Sequence, residues 1–135
     1  MNMTMKLQSN TLVVVATGER AQTYLVEDDR LQAHAEWLPP GLDEDGPSGK
    51  TPPEMSERDT NEATFSKHIA QRLYAMAYKH EFEHLVLIAD PVTLGEVRPQ
   101  LHLVVTDKVV LEIDKTLINS SVDDIERTIT KAMDT

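Results

Sequence analysis

The chain contains no cysteine, few aromatic residues and no long apolar run. Without cysteine there is no disulfide framework and no thiolate metal site, so any metal would need histidine and carboxylate ligands. Aromatic residues make up 4% of the sequence, which is too sparse for a base-stacking platform. The apolar run nearest the N-terminus, residues 12–16, is too short for a signal-peptide core or a membrane span, so we expect a cytoplasmic protein with no membrane partner.

Basic residues are outnumbered as well, with 13 Lys and Arg against 23 Asp and Glu and a formal charge of −10. Nucleic acids are bound through basic surfaces, and the basic residues here are scattered singly along the chain. General nucleic-acid binding is therefore not expected. A chain of 135 residues is long enough for one core and too short for two ordinary domains, so residues 1–135 are predicted to form a single domain.

Apolar runs and alternating stretches predict five strands. Residues 12–16 and 85–89 are apolar throughout, which is typical of strands covered on both faces. Residues 21–26 and 31–37 alternate, which predicts two half-exposed strands, and residues 109–113 predict the fifth. In the third strand we expect four apolar side chains to share one face: Leu31, Ala33, Ala35 and Trp37.

The first predicted helix follows a long loop. Residues 38–61 are acidic and rich in proline and glycine, with little to bury, and this composition predicts a mobile loop. The helix is predicted to be capped by Asp59, with Glu62 three residues later, and to end near His80. Its apolar residues recur at helical spacing: Phe65, Ile69, Leu73, Met76 and Ala77.

Two further helices have clear start signals. Asp90 and Pro91 form an N-cap followed by proline in the first helical position. Pro99 interrupts this helix, so residues 101–106 form either a kinked continuation or a loose turn. Residues 120–121, both serine, are predicted to cap a last helix. One face of it carries Val122, Ile125, Ile129 and Met133.

The resulting order is β-β-β-α-β-α-β-α. Right-handed crossovers in such an order place helices on both faces of the sheet. The prediction is an α/β domain of ribonuclease H-like topology, with a mixed five-stranded sheet, the first strand central and the fourth parallel to it.

The sequence resembles a known bacterial family, named "protein required for attachment to host cells". That family has a helix with Phe and repeated Ala and Leu, a Leu-Val-Leu-Val-Ala strand, a Pro-x-x-Leu-Gly-Glu-Leu-Arg helix and a strand before a Lys-x-Leu turn. It is similar in turn to the middle domain of archaeo-eukaryotic class-1 translation release factors. The matching positions are Phe65, Leu85, Val86, Leu87, Ala89, Pro91, Leu94, Gly95, Glu96, Arg98, Lys115 and Leu117.

The resemblance implies a non-catalytic binding domain that contacts ribosomes or the translation machinery, with a protein or ribonucleoprotein as partner. The family's first strand usually ends in Ala-Asp-Gly, whereas here Thr17 stands in the place of the aspartate. No Gly-Gly-Gln occurs in the sequence, so the release factors' peptidyl-tRNA hydrolysis does not carry over. Two alternatives stay open: a metal-dependent hydrolase or nuclease with a degenerate site, and a regulatory protein-interaction module unrelated to translation.

Residues 80–84, His-Glu-Phe-Glu-His, match zinc-protease signatures. Such a site needs both histidines on one turn of a helix, with the glutamate beside them as general base. Here the buried strand begins at Leu85, directly after His84, which leaves no room for the helix to continue. We therefore predict no metal site, with Phe82 packed into the core.

Nuclease chemistry on this topology needs carboxylates from the first strand, the first helix and the fourth strand. The sequence offers Glu62 and Asp90, but the first strand carries no carboxylate. No glycine-rich phosphate loop or nucleophile elbow is present, so no cofactor is predicted. Gly95 is expected to allow close packing of its helix on the sheet, and the acidic run at residues 43–45 is expected to be solvated.

The predicted binding site lies where strands end. Ligands of open α/β sheets bind beyond the carboxyl ends of the strands. In this order the ends of the first and fourth strands meet at one rim. The predicted site residues are Thr17, Gly18, Glu19, Arg20, Asp90 and Pro91.

Overall fold

The structure is a computed structural model that describes residues 7–39 and 57–133, with side chains described from Phe65 onward in the second range. Its elements in chain order are β1 (Thr11–Ala16), β2 (Ala21–Glu27), β3 (Arg30–Trp37), α1 (Glu57–Tyr78), β4 (His84–Ala89), α2 (Pro91–Val97), a 3-10 turn (Arg98–Gln100), α3 (Leu103–Thr106), β5 (Val109–Ile113) and α4 (Val122–Met133).

The five strands form one sheet in the order β3-β2-β1-β4-β5. Strand β1 pairs antiparallel with β2 and parallel with β4, and β5 is parallel to β4. Every residue of β1 is buried, because the strand is apolar apart from Thr11 and is covered on both faces. The predicted α/β fold, with a central first strand, is confirmed.

Helices cover both faces of the sheet. Alternate residues of β1 point to opposite sides, so Leu12 and Val14 join one core and Val13 and Val15 the other. Helices α1 and α2 close the first core, and α4 closes the second. The fully buried residues that these helices contribute are Phe65, Ile69, Leu73, Ile125 and Ile129.

A β-bulge in β3 divides its apolar residues between the two cores. Thr23 on β2 is opposite Ala35, but the next residue, Tyr24, is opposite Ala33, so His34 is an extra residue. Leu31 consequently packs in the α4 core, whereas Trp37 packs in the α1 core. The prediction that all four apolar residues of this strand share a face is wrong, because one inserted residue reverses the alternation. The Thr23 hydroxyl donates to the carbonyl of Ala35 at 3.0 Å and lies 3.2 Å from His34 Nδ1.

The hairpin between β2 and β3 turns on two residues. Asp28 and Asp29 have φ angles of 55° and 64°, and two consecutive left-handed residues are the signature of a type I′ turn. Aspartate tolerates this conformation better than most residues with a side chain. The turn matches the right-handed twist of the flanking strands.

Helix α1 begins earlier than predicted. It starts at Glu57, so Asp59 lies inside the helix rather than at its cap, and residues 57–61 are helical rather than loop. The rest of the predicted mobile loop, from residue 40 to residue 56, lies outside the described residues, as does the acidic run at 43–45. The helix ends at Tyr78, and His80, with a φ of 60°, turns the chain toward β4.

The caps of α2 and α4 form as predicted. The Asp90 carboxylate accepts the backbone N–H of Thr93 at 3.1 Å, and Ser121 Oγ accepts that of Asp124 at 3.1 Å. Neither alternative for residues 101–106 is correct, because His102 Nδ1 accepts the N–H of Val104 at 3.1 Å and caps a separate helical turn, α3. In the two described ranges no helix combines the length and the apolar character that crossing a bilayer requires.

Candidate binding site

A cavity of about 770 Å³ lies at the carboxyl ends of β1 and β4. Five of the six predicted site residues line it, and the sixth, Pro91, lines a neighbouring cavity of about 400 Å³ on the other side of α2. The parallel pairing of β1 with β4 brings the two groups together, because Ala16 and Ala89 are partners at the last position of each strand. The five lining residues are Thr17, Gly18, Glu19, Arg20 and Asp90.

Thr17 organises the turn that forms one wall. Its hydroxyl oxygen accepts the backbone N–H groups of Glu19 at 3.1 Å and Arg20 at 3.3 Å. Its own N–H donates to the carbonyl of Arg20 at 2.9 Å, which closes the turn. A hydroxyl that accepts local backbone N–H groups stabilises a turn without supplying a charge. Threonine at this position therefore has a structural role.

Arg20 spans the rim of the cavity. Its guanidinium donates to the Asn119 side-chain oxygen at 2.7 Å and lies 3.4 Å from the Glu36 carboxylate. These contacts tie the β1–β2 turn to the end of β3 and to the segment before α4. Asn119 was not predicted, because it is 99 residues from Arg20 and follows no motif. The other lining residues missed by the sequence are Val92, Thr93, Thr116 and Ile118.

The charged side chains of the cavity have both signs: Glu19 and Asp90 are acidic and Arg20 is basic. Asp90 is half-buried and already holds the first turn of α2. Within ranges 7–39 and 57–133, no group of three or more His, Asp or Glu residues is arranged to hold a metal ion. Nuclease chemistry on this topology needs a carboxylate on β1, and β1 has no Asp or Glu. The side chain of Glu62, another carboxylate considered for that chemistry, lies outside the described residues.

The residues of the zinc-protease signature are dispersed. His80 is exposed with a left-handed backbone, and His84 is the first residue of β4, with its Nε2 3.1 Å from the Gln8 side-chain oxygen. Phe82, between them, is fully buried. The predicted break from helix to strand is confirmed, and so is the packing of Phe82 in the core. The two imidazoles do not share a helical turn, which a zinc site of that class requires.

Two positions that carry the family resemblance, Glu96 and Arg98, make contacts between elements of the fold. The buried Ser66 hydroxyl donates to the Glu96 carboxylate at 2.9 Å, joining α1 to α2. Arg98 donates through two nitrogens to one oxygen of Glu112, at 3.0 and 2.6 Å, and so joins the end of α2 to β5. Trp37 is buried, 3% exposed, with the Arg72 guanidinium 5.5 Å from its ring centroid.

Gly95 differs from the prediction. It is exposed, and a methyl group added at its α-carbon would meet nothing within 4 Å. Close packing on the sheet is therefore not the reason for glycine here. Gly95 lines the smaller cavity, together with Pro91 and Arg98, so its missing side chain widens an accessible surface.

We expect Gly95→Ala to raise the free energy of unfolding by about 0.5–1 kcal/mol, because alanine favours helix and restricts the unfolded chain. Urea denaturation of the two proteins measures the difference. Gly95→Val, which adds a β-branched side chain in the same space, is the matched control and should gain less. A loss of stability in the alanine variant would show that the position is crowded.

Comparison with known proteins identifies the relatives. Residues 38–129 match the model of bacterial archaeo-eukaryotic release factor family 12. No curated protein matches the sequence. Among solved structures, the fold is similar to one titled "Archaeal protein", with a TM-score of 0.51 and 13% identity, covering 92% of this chain and 38% of that one.

It is also similar to the archaeal translation termination factor aRF1, with a TM-score of 0.51 and 12% identity, covering 92% of this chain and 39% of that one. At these identities the likeness shows a shared fold, and this chain spans about two fifths of each structure. The release-factor part of the resemblance is thus confirmed, and the host-attachment name stays a prediction. Because the family model covers more than half of the sequence, the chain belongs to bacterial archaeo-eukaryotic release factor family 12.

Proposed function

We propose that the protein is a non-catalytic binding module that docks on the ribosome through the carboxyl rim of its sheet. The observation that carries the proposal is Arg20, which spans the open cavity and is held from both sides by Glu36 and Asn119. A preorganised guanidinium at the rim can bind a phosphate or a carboxylate of a partner with little loss of side-chain entropy.

Family membership supports translation as the setting. The structural neighbour aRF1 is a translation termination factor, and its fold is shared over most of this chain. The present sequence has no Gly-Gly-Gln, so we do not extend release chemistry to it. A member of this family that lacks the hydrolytic motif can still keep the ability to bind the ribosome.

The rim geometry favours binding over catalysis. Covalent catalysis by a hydroxyl needs an adjacent general base. The Thr17 hydroxyl instead accepts two backbone N–H groups and lies 3.4 Å from the carbonyl oxygen of Arg20. Asp90 is engaged by the N-terminus of α2. Among the rim residues that the structure describes, no side-chain hydroxyl is paired with a histidine or carboxylate.

Co-sedimentation with purified bacterial ribosomes tests the proposal. The wild-type protein should pellet with ribosomes, and Arg20→Ala should weaken the association at least fivefold, because a charge-assisted contact contributes about 1.5–3 kcal/mol. Asn119→Ala should weaken it less, since the guanidinium stays but loses one anchor. The melting temperature should shift by only a few degrees, because the Arg20–Glu36 pair is about half exposed.

Arg127→Ala is the matched control. Arg127 is also an exposed arginine paired with a carboxylate, Asp124 at 2.8 Å, but it lies on α4 away from the rim. This variant should sediment as the wild type does. If the wild type does not pellet, the ribosome is not the partner and the regulatory alternative gains. If Arg20→Ala pellets undiminished, the docking surface lies elsewhere.

A further inference from the structure

The solvent-facing side of α1 carries no acidic residue along its last three turns. The charge contrast with the whole chain is large, because residues 63–80 contain neither Asp nor Glu, although the protein has 23 of them. The same stretch holds three cations and two histidines. The half-buried or exposed side chains on this face are Lys67, His68, Gln71, Arg72, Tyr74, Ala75 and Tyr78, and the exposed Lys79 follows directly after the helix.

One stripe of this face combines charge with aromatic rings. Lys67, Gln71, Tyr74 and Tyr78 follow one another at spacings of four, three and four residues, so they lie along a single side of the helix. At 1.5 Å per residue the stripe is about 16 Å long. In the sequence the basic residues of this stretch stand singly. The helix places Lys67 on one line with Tyr74, seven positions later, and Tyr78, eleven positions later.

Three rings gather at the end of the stripe. The ring centroids of Tyr74 and Tyr78 are 6.1 Å apart. The imidazole of His102, the N-cap of α3, has its centroid 4.6 Å from that of Tyr74. Tyr78 is 72% exposed and Tyr74 is 40% exposed. Large aromatic rings that stay exposed keep a free π-face, which is the surface on which nucleobases stack.

The lysines of this face are available for phosphate. Within the described residues, the ammonium groups of Lys67 and Lys79 make no ion pair, whereas Arg20, Arg30, Arg98 and Arg127 each pair with a carboxylate. A cation without an internal partner can release counterions on meeting a polyanion. The face therefore has the two components of a single-strand site, rings for bases and cations for the backbone.

We propose that this α1 face binds single-stranded RNA, with a base stacked on Tyr78 and phosphates contacting Lys67 and Lys79. The amide of Gln71, exposed between the two ends of the stripe, can hydrogen-bond a ribose 2′-hydroxyl. Tyr78 lies at the end of α1 that leads into the first residue of β4, so the aromatic end of this face is near the amino ends of the parallel strands, whereas the rim is at their carboxyl ends. The proposal goes beyond ribosome docking at the rim and does not rest on it.

Fluorescence anisotropy with a labelled oligouridylate of about 12 nucleotides tests the site. The wild type should bind at low salt and weaken as salt rises. Tyr78→Ala should lose about tenfold in affinity and keep the salt slope, because stacking is not ionic. The double variant Lys67→Gln, Lys79→Gln should also lose affinity. The slope of log affinity against log salt concentration should become shallower by about 1.4, because each phosphate contact on a single strand contributes about 0.7.

Matched controls separate this surface from the rest of the molecule. Lys131→Gln and Arg127→Ala, which change an exposed lysine and an exposed arginine on α4, should both bind the oligonucleotide as the wild type does. Circular dichroism should show unchanged melting for Tyr78→Ala, because the ring is mostly exposed.

Four outcomes would overturn the assignment. In the first, the wild type does not bind the oligonucleotide at low salt; in the second, the Tyr78 and lysine variants bind it with full affinity. In the third, the wild type binds oligothymidylate of the same length equally well. In the fourth, the wild type binds no RNA and Tyr78→Ala loses a protein partner. The last would identify the face as a protein interface.

Discussion

Phe82→Ala is expected to lower the free energy of unfolding by about 3–5 kcal/mol, the range for deleting a buried phenylalanine. Phe82 is fully buried in the core beneath α1, at the connection between α1 and β4, so its removal leaves a cavity in that core. Domains of this size are stable by about 5–15 kcal/mol, so the loss is a large share of the total. Chemical denaturation monitored by circular dichroism measures it.

The flanking histidines provide the control for Phe82. His80→Asn with His84→Ala should cost less than about 1 kcal/mol, because both residues are accessible and asparagine tolerates the left-handed backbone at position 80. A chelator should leave the melting temperature of the wild type unchanged, since a metal bound only to the folded state would stabilise it. Stoichiometric zinc that is lost in the double variant would contradict this and revive the hydrolase alternative.

Glu126→Ala is expected to cost about 2 kcal/mol, because it leaves a backbone donor of an edge strand without its partner. The Glu126 side chain is 14% exposed and accepts the N–H of Leu31 at 2.8 Å and the Arg30 guanidinium at 2.9 Å. These contacts fasten α4 to β3 across 95 residues of chain. Thermal and urea unfolding of the variant measure the loss.

Glu126→Gln is the conservative partner of that experiment. Its amide oxygen still accepts the Leu31 N–H, so it should retain roughly half of the stability lost in the alanine variant. The hydrogen bond to Glu126 raises the pKa of the Arg30 guanidinium above its ordinary value. A group whose pKa is raised by folding stabilises the folded state fully at pH values below its pKa in the unfolded chain. That stability is lost only as pH rises through the raised pKa of the folded state. Titration of Arg30 should therefore add no pH dependence to stability at neutral or acidic pH. Equal stability of both variants and the wild type would show that the Leu31 contact is made by water instead.

Local signals in the sequence were sufficient for most element boundaries. The cap at Asp90 and Pro91, the serine cap of α4 and the limits of β5 depend on residues within four positions of one another. Such preferences act before any tertiary contact forms, and so they can be read from composition and spacing. The start of α1 was misjudged because Asp59 and Glu62 satisfy a capping pattern inside the helix as well as at its end.

The rim was predictable in outline and not in its chemistry. Strand order placed residues 17–20 beside Asp90, since parallel strands end at one edge of the sheet. The contact of Arg20 with Asn119 could not be inferred, because nothing near either residue in the chain selects the other. Gly95 was misread for a related reason, as the space around a glycine is a property of the elements packed beside it.

The sequence by itself determined the order of the five strands and of helices α1, α2 and α4, the caps of α2 and α4, the buried character of β1 and β4 and the amphipathic face of α4. These follow from short-range periodicity and from the cost of exposing apolar surface. Only the tertiary structure decided which core receives Leu31 and which receives Trp37, which arginine spans the rim, and that Tyr74 and Tyr78 stay exposed beside His102. The physical reason is that a bulge depends on how two strands pair, and that a surface combines side chains that are distant in the sequence and become neighbours only when the chain folds.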